Sequence, residues 1–190
     1  MVTSDWLKAA RLALIHGGPS AVRVEILARD LHVTKGSFYW HFKNREALLE
    51  ALLREWETET ESLFREMALR PDTVEALQFL SEYIQKSMSS PLGEYPPDLA
   101  IFNWAATDRG VAERVNRIER IRIDTLVKLT GRPDRVELVY LVWLGFILRR
   151  HRSPATADDL PFLWSSIVDF LLPTEPAVKP RKVSRKKVPK

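Results

Sequence analysis

Apolar residues recur every three or four positions along most of the chain, which is the period of an amphipathic helix. Near the start, Leu7, Ala10 and Leu14 form such a stripe. The sequence has no long alternating run of β-branched residues bounded by turn residues, so the pattern predicts no strands. The chain is therefore expected to be all-α.

Glycines, prolines and capping residues divide this pattern into nine predicted helices. Gly17 to Pro19 end the first helix, and Asn44 begins a long one. We predict a three-helix head over residues 1–47 and a larger helical body over residues 48–173. The basic tail, residues 174–190, offers few apolar residues to bury and is expected to be disordered.

The apolar pattern predicts no membrane segment. Charged residues such as Asp5, Lys8 and Arg11 interrupt the N-terminus, which argues against a signal peptide. The longest apolar stretch, residues 136–148, is shorter than the ~20 residues that span a bilayer. We expect a cytoplasmic protein that has no membrane partner.

The composition argues against catalysis. The chain has no cysteine, which excludes disulfides, zinc fingers and a thiol nucleophile. Its 7 glycines form no phosphate-binding loop, its 4 histidines are scattered, and G-x-S-x-G and H-E-x-x-H motifs are missing. We therefore expect no enzymatic activity, no cofactor and no metal site.

Charge is distributed unevenly along the chain. Residues 1–47 carry 7 Lys and Arg against 4 Asp and Glu, residues 48–178 carry 15 against 21, and residues 179–190 carry 7 against none. A basic head on an acidic body indicates a polyanion as the partner of the head. Trp56 to Glu61 (WETETE) is predicted to be a solvated acidic face. The cationic tail would either add salt-dependent affinity for DNA or only improve solubility.

The segment from Arg23 to Arg45 has the spacing of a helix-turn-helix, two short helices joined by a tight turn. Phe38 and Phe42 fit a core beneath the second helix. Tyr39 and Trp40 are predicted to point outward, because side chains this close in sequence cannot all face one side of a helix. The alternative is a small helical hairpin whose aromatic residues only fill a core.

A major groove admits such a helix, with the first residues of the helix at the base edges. Lys35 and Ser37 can then hydrogen-bond to bases, and Trp40 can contact a thymine methyl group. Gly36, which is unfavourable in a helix, is suited to a close approach by another backbone. The predicted DNA-contacting residues are Arg23, Thr34, Lys35, Gly36, Ser37, Tyr39, Trp40, His41, Lys43 and Arg45.

This segment resembles the TetR family of bacterial transcriptional regulators. The resemblance is strongest from Leu31 to Leu53, which contains VTKGSFYWHFKNREALLEALL, and looser from Ser4 to Val24. It implies a three-helix DNA-binding head, a long connecting helix and a dimeric, ligand-binding body. It also implies base contacts by Lys35, Gly36, Ser37 and Trp40, and backbone contacts by Tyr39, His41, Lys43 and Arg45. His32 stands where the family usually has a left-handed glycine, so a conformational cost is expected there.

Two C-terminal helices are too apolar for one small body to cover. Residues 136–148 are apolar nearly all round the helix, and the last predicted helix is similar. A second copy could cover both as a four-helix bundle, in the way the family dimerises, whereas the alternative is a thick monomeric core. The predicted dimer interface is Leu138, Leu141, Val142, Phe162, Leu163, Ile167 and Phe170.

Large side chains between the connecting helix and these two helices are candidates for an effector pocket, the region where family pockets lie. The residues are Phe64, Met67, Phe79, Tyr83, Met88, Phe102, Trp104, Tyr140, Trp143 and Phe146, although each is individually more often a core residue. With polarity only from Asn103, Gln85 or Tyr83, such a pocket favours an apolar small molecule.

Two functions remain open from the sequence. The first is a homodimeric repressor that binds a palindromic double-stranded DNA operator and is released by a small, mostly apolar effector. The second is a DNA-binding regulator with no small-molecule effector, which acts as an activator or through a protein partner.

Overall fold

The computed structural model describes residues 2–89, 97–153 and 159–172, and these residues form nine helices and no strand. The basic tail at 174–190 and the side chain of Met88 lie outside the described part. The helices are α1 (Thr3–Ala21), α2 (Val24–Asp30), α3 (Lys35–Phe38), α4 (Arg45–Ala68), α5 (Thr73–Ser89), α6 (Asp98–Ala105), α7 (Arg109–Thr130), α8 (Pro133–Arg152) and α9 (Leu160–Leu171). The predicted all-α fold is confirmed.

Helix ends follow the capping residues in the sequence. Asn44 accepts a hydrogen bond from the Ala47 N–H at the start of α4, and Asp108 accepts one from Val111 at the start of α7. Gly131 ends α7 in the left-handed conformation, with φ of 66°. Thr34 precedes α3, but its side chain makes no capping hydrogen bond.

The first helix is broken by Gly17 and Gly18. Gly17 has a φ of −147°, and Gly18 combines a φ of 67° with a ψ of −168°, a backbone conformation that is essentially restricted to glycine. Pro19 begins a last short turn that continues to Ala21. The predicted end of the long helical run is thus a kink, and the chain then leads directly into α2.

One hydrophobic core joins the first three helices to the body. Trp6, Leu27 and Phe38 are almost fully buried in it, and Trp56 of α4 and Ile118 of α7 belong to the same cluster. Trp6 meets Phe38 edge to face at 5.2 Å between ring centroids, a favourable aromatic geometry. Because this core continues into α4, α6 and α7, the head is packed firmly on the body.

A second core holds the remaining helices together. Met67, Leu77 and Val136 are fully buried in it, and α9 contributes Ile167 and Leu171. No described helix is both long enough and apolar enough to cross a membrane.

Ion pairs attach α4 to its neighbours. Arg114 of α7 donates to Glu50 at 2.6 Å and to Glu57 at 2.7 Å, and Arg11 of α1 donates to Glu55 at 2.6 Å. Hydrogen bonds from Arg114 and Arg117 lower the pKa of Glu57 even though burial opposes them.

The prediction of a solvated acidic face at Trp56 to Glu61 is therefore wrong for half of the segment, although Thr58 and Glu59 are exposed. Trp56, Glu57 and Thr60 are all buried. The arginines that cover this face come from α1 and α7, which are distant in sequence, so the local pattern could not reveal them.

Candidate nucleic-acid interface and ligand cavity

The turn between α2 and α3 sets the position of α3. His32 is the single described non-glycine residue with positive φ, at 56°. The Val33 N–H donates to the Ala28 carbonyl and the His32 N–H to the Arg29 carbonyl, which together form a Schellman motif. The left-handed conformation expected at His32 is thus present, and it turns the chain from α2 into α3.

The aromatic residues of α3 and the following turn divide between the core and the surface. Phe38 is fully buried, and Phe42 stacks against it with ring centroids 5.6 Å apart. Tyr39 is 56% exposed and Trp40 is 89% exposed. The predicted division between Phe38 and Phe42 inside and Tyr39 and Trp40 outside is confirmed.

We call Lys35, Gly36, Tyr39 and Trp40 the reading surface, since the four residues are exposed side by side. A Cβ atom on Gly36 would meet only the Thr34 hydroxyl, at an ordinary 3.7 Å, so the fold itself does not require glycine here. The glycine is explained if a partner approaches this helix so closely that a larger side chain would not fit.

Lys35 is held by a carboxylate across the helix-turn-helix. Its Nζ donates to Glu25 Oε1 of α2 at 2.5 Å, and both side chains are more than half exposed. The Lys35 hydrogen bond lowers the pKa of Glu25. Glu25 thus orients Lys35 on the reading surface, and the lysine ammonium has two further N–H groups that a DNA base could accept from.

The other predicted contact residues differ in their exposure and in their hydrogen bonds. Arg23 and Lys43 are exposed, whereas the Ser37 hydroxyl donates to the Thr34 carbonyl at 2.8 Å. His41 is half-buried, with its Nδ1 3.2 Å from the Thr3 hydroxyl of α1.

Arg45 has a different position from the one expected for a phosphate ligand. Its Nε donates to the Val22 carbonyl at 2.7 Å, and its Nη2 donates to the Pro19 carbonyl. These bonds use its donors to tie the α1–α2 connection to the start of α4, which favours a structural role over DNA contact.

Helices α8 and α9 both expose large apolar side chains. Leu138, Leu141 and Val142 of α8 are about half exposed, at 55%, 56% and 48%, and Phe162 of α9 is 78% exposed. We call these four residues, with Phe170, the apolar face. Of the other two predicted interface residues, Leu163 is half-buried, and Ile167 lies inside the second core because it is on the opposite side of α9. The prediction for Ile167 is therefore wrong.

A cavity of about 740 Å³ lies between the head and the body. Five of the predicted pocket residues line it, namely Phe64, Tyr83, Trp104, Tyr140 and Trp143, and Asn103 lies on its wall. Its volume is in the range that holds a small organic molecule. The lining comes from α1 and from α4 to α9.

Four other predicted pocket residues do not line the cavity. Met67 and Phe146 pack inside the second core, and Phe79 lies beneath the guanidinium of Arg70 at 4.2 Å. Phe102 packs edge to face against Trp56. These predictions are wrong because helical spacing alone does not tell a cavity wall from a filled core.

Two features of this cavity were not predicted from the sequence. Its wall includes the consecutive residues Leu14 to Pro19, which contain the glycine kink of α1. It also includes a buried polar group, in which Arg122 Nη2 donates to Asp98 Oδ1 at 2.5 Å and lies 3.3 Å from the Thr60 hydroxyl. In the sequence, Arg122 and Asp98 are only single charged residues within helices. Such residues are too common to indicate a buried pair.

Helices α2 and α3, with the reading surface, form a helix-turn-helix segment. The family model of bacterial regulatory proteins, tetR family, matches residues 7–52, the segment that contains α2, α3 and the start of α4. The N-terminal segment of the chain therefore matches the TetR family, as its sequence suggested. No curated protein matches the chain.

Solved structures show the same fold over nearly the full length. A transcriptional regulator of the TerR/AcrR family from Aquifex aeolicus VF5 is 21% identical, with a TM-score of 0.61 over 89% of this chain and 96% of that one. GusR from Salmonella enterica is 17% identical, with a TM-score of 0.58 over 88% and 95%. FadR from Bacillus subtilis, in complex with stearoyl-CoA, is 17% identical, with a TM-score of 0.51 over 89% and 97%.

Proposed function

We propose that this protein is a homodimeric repressor that binds a palindromic DNA operator and releases it when a mostly apolar effector occupies the cavity. The observation that carries the DNA-binding part is the reading surface. A side chain as large and apolar as Trp40 is costly to leave 89% exposed, and lysine and tyrosine donors surround it.

In this proposal α3 enters the major groove. Lys35, Ser37 and Trp40 contact base edges, with Thr34 and Gly36 close to the groove, while Tyr39, His41, Lys43 and Arg23 contact the phosphate backbone. Lys35 donates one of its three N–H groups to Glu25, which orients it, and can donate another to a base acceptor.

The apolar face supplies the dimer. Gly145 lies among its exposed residues on α8, and a Cβ atom there would meet no neighbour within the protomer. A glycine inside a helix costs about 1 kcal/mol relative to alanine, which is explained if a partner helix packs closely against it. A two-fold dimer would place the two reading surfaces on half-sites about 34 Å apart.

The position of the cavity supports control by an effector. The end of α1 and the middle of α4 both line it, so a bound molecule contacts the head and the body at once. Arg45 at the start of α4 donates to the Pro19 carbonyl, directly after the kink at Gly17 and Gly18 in the cavity wall, so a ligand that displaces this wall would also displace α4 and the head. An effector that prefers one head position would shift the population away from the DNA-bound geometry. The stearoyl-CoA bound to FadR supports a ligand role for this fold.

The same proposal covers organisation and location. Residues 1–47 act as the DNA-binding head, residues 48–173 as the effector-binding and dimerisation body, and residues 174–190 as a basic tail in a cytoplasmic protein. We also propose that the protein regulates transcription and has no enzymatic activity, since a solved structure of the same fold is a transcriptional regulator.

An electrophoretic shift assay on DNA from upstream of the protein's own gene tests the proposal. We expect a specific complex that random DNA does not compete away, and loss of that complex with one or more members of a panel of apolar compounds. A specific complex that no compound releases would favour a regulator that responds to a protein partner. Absence of a specific complex would contradict the DNA-binding function.

A further inference from the structure

Glu25 is an unexpected residue beside a surface that binds DNA. Its side chain is 58% exposed on α2, and a carboxylate close to a duplex is repelled by the phosphates. The exposed ion pair with Lys35 adds little to folding stability, because solvent screens both charges. Neither the fold nor general affinity for DNA therefore accounts for an acidic residue at this position.

The ion pair places Glu25 next to whatever Lys35 contacts. Lys35 Nζ donates to Glu25 Oε1 at 2.5 Å, so a base atom that accepts from the ammonium lies beside the carboxylate as well. Gly36 follows Lys35, and its missing side chain leaves room for base edges to come close. Glu25 therefore faces the base pair that Lys35 reads.

Both partners of this pair carry their charge at neutral pH. The Lys35 hydrogen bond lowers the pKa of Glu25, with a smaller contribution from the charge of Arg23, and the same bond raises the pKa of Lys35. An ionised carboxylate only accepts hydrogen bonds, and an ammonium only donates them. The pair thus presents donors directly beside acceptors, in a fixed order.

A G·C base pair has the complementary order in the major groove. Guanine offers two neighbouring acceptors, N7 and O6, and the cytosine N4 amine is a donor beside O6. The two remaining N–H groups of Lys35 match these acceptors, and the Glu25 carboxylate matches the amine. In the reversed C·G pair the ammonium would meet the amine and the carboxylate would meet O6, which is repulsive at both positions. An A·T pair offers a single acceptor beside its amine, followed by a methyl group.

We infer that Lys35 and Glu25 act as one unit that reads a G·C pair in each half-site, with Lys35 on guanine and Glu25 on the cytosine amine. Glu25 orients Lys35 and also rejects the reversed pair. This inference rests on the proposed DNA-binding function and names the chemistry of one base pair of the operator.

Selection from a random duplex library with the full chain identifies that base pair. We expect guanine at one position of each half-site, preferred over the reversed pair by at least about five- to tenfold. Glu25→Gln should lose this preference, since an amide can turn either a donor or an acceptor towards the base. Lys35→Ala should lose it at the same position, and preferences elsewhere in the half-site should remain.

Asp30→Asn is the matched control. Asp30 is exposed at the end of α2 and pairs with Arg29 at 3.3 Å, so the substitution removes the same charge from the same helix without touching the Lys35 pair. A general change in repulsion from phosphate affects all DNA sequences alike and cancels in a ratio of two affinities. Asp30→Asn should therefore leave base preference unchanged.

A modified base tests the carboxylate contact itself. N4-methylcytosine opposite the preferred guanine keeps the base pairing but replaces the N–H that faces the major groove with a methyl group. We expect it to weaken wild-type binding about fivefold or more, as for one charged hydrogen bond, and to change Glu25→Ala binding less than about twofold. Inosine in place of the guanine lacks only the minor-groove amine and should change neither.

The outcomes separate the inference from the proposed function. A wild-type protein that prefers no sequence would contradict both. A preferred sequence that Glu25→Gln leaves unchanged, or that Glu25→Gln and Lys35→Ala alter at different positions, would overturn the inference alone. An A·T pair at the shared position, or an equal loss of preference in Asp30→Asn, would also overturn it and leave the DNA-binding function standing.

Discussion

This protein exposes large apolar side chains at two places, and their surroundings differ. On the reading surface, Trp40 is 89% exposed, and Lys35, Tyr39 and the nearby Lys43 provide proton donors. On the apolar face of α8 and α9, Phe162 is 78% exposed, and the other members of the face are leucine, valine and phenylalanine. Exposed hydrophobic area alone therefore does not identify the partner of either surface.

The serine residues of α9 make the contrast sharper. Ser165 and Ser166 are exposed beside Phe162, but both hydroxyls donate to the Phe162 carbonyl, at 2.9 and 3.0 Å. Because these hydroxyls are satisfied within the helix, this side of α9 presents mainly hydrocarbon. A charged duplex fits a surface rich in donors, whereas a second apolar face fits one whose polar groups are already paired.

The largest effect is expected from a charge on the apolar face. Leu141→Asp would place a carboxylate in the centre of the proposed interface, which is too costly to bury without a partner. We expect a monomer in sedimentation analysis and at least about a hundredfold loss of operator affinity, because one head then binds one half-site.

Leu69→Asp is the control for that variant. Leu69 is 78% exposed at the end of α4 and is not part of the apolar face, so the substitution adds the same charge elsewhere. It should leave the dimer and its DNA affinity unchanged. A dimeric Leu141→Asp protein would show that the apolar face has another partner.

On the reading surface, two substitutions should separate affinity from sequence preference. Tyr39→Ala should weaken binding to operator and random DNA alike, about tenfold, since a backbone contact carries no base information. Lys35→Ala should in addition reduce the ratio of specific to random binding, because a base contact discriminates by about 1–3 kcal/mol. Competition binding against both DNAs measures the ratio, and an identical ratio in the two variants would contradict these roles.

The exposed residues of the reading surface could be predicted from the sequence because they lie close together along the chain. Alternation of Phe38, Tyr39, Trp40 and Phe42 within a single short helix and turn determines which aromatic residues are buried, and the structure has that arrangement. The short α2 and the approximate positions of the nine described helices could also be predicted, because capping residues, glycines and prolines mark the helix ends locally.

The cavity and the ion pairs could not be predicted in the same way. Glu57 and Arg114 are distant in sequence and meet only when α7 packs on α4. The same holds for Arg122 and Asp98, and for the presence of Leu14 to Pro19, α8 and α9 in the lining of one cavity. These features depend on how the helices cross, which a periodic pattern does not specify.

Glu57→Gln tests the ion pairs that join α4 to α7. Its carboxylate is mostly buried between Arg114 and Arg117, and the hydrogen bonds lower its pKa. The stabilisation is present above the unfolded pKa of about 4.3 and is lost as the pH falls through the lower folded value. We expect the variant to lose about 1–3 kcal/mol at pH 7, and the difference from wild type to shrink below about pH 4.3.

Thermal unfolding at several pH values measures this difference. Glu113→Gln is the control, because Glu113 pairs with Arg109 on the surface of α7, where both side chains are well exposed. It should change stability little at any pH. A Glu57→Gln difference that does not depend on pH would show that lost packing, not lost charge, is responsible.

The smallest effect is expected at His32, next to the reading surface. Its φ of 56° is unfavourable for a side chain with a Cβ atom, although the Schellman hydrogen bonds hold it there. His32→Gly removes that cost but makes the unfolded chain more flexible, so we expect a net gain of about 0.5 kcal/mol and a melting temperature about 1–2 °C higher. Operator preference should stay the same, since the backbone of the turn is unchanged. A lower melting temperature would mean that the histidine side chain itself stabilises the turn.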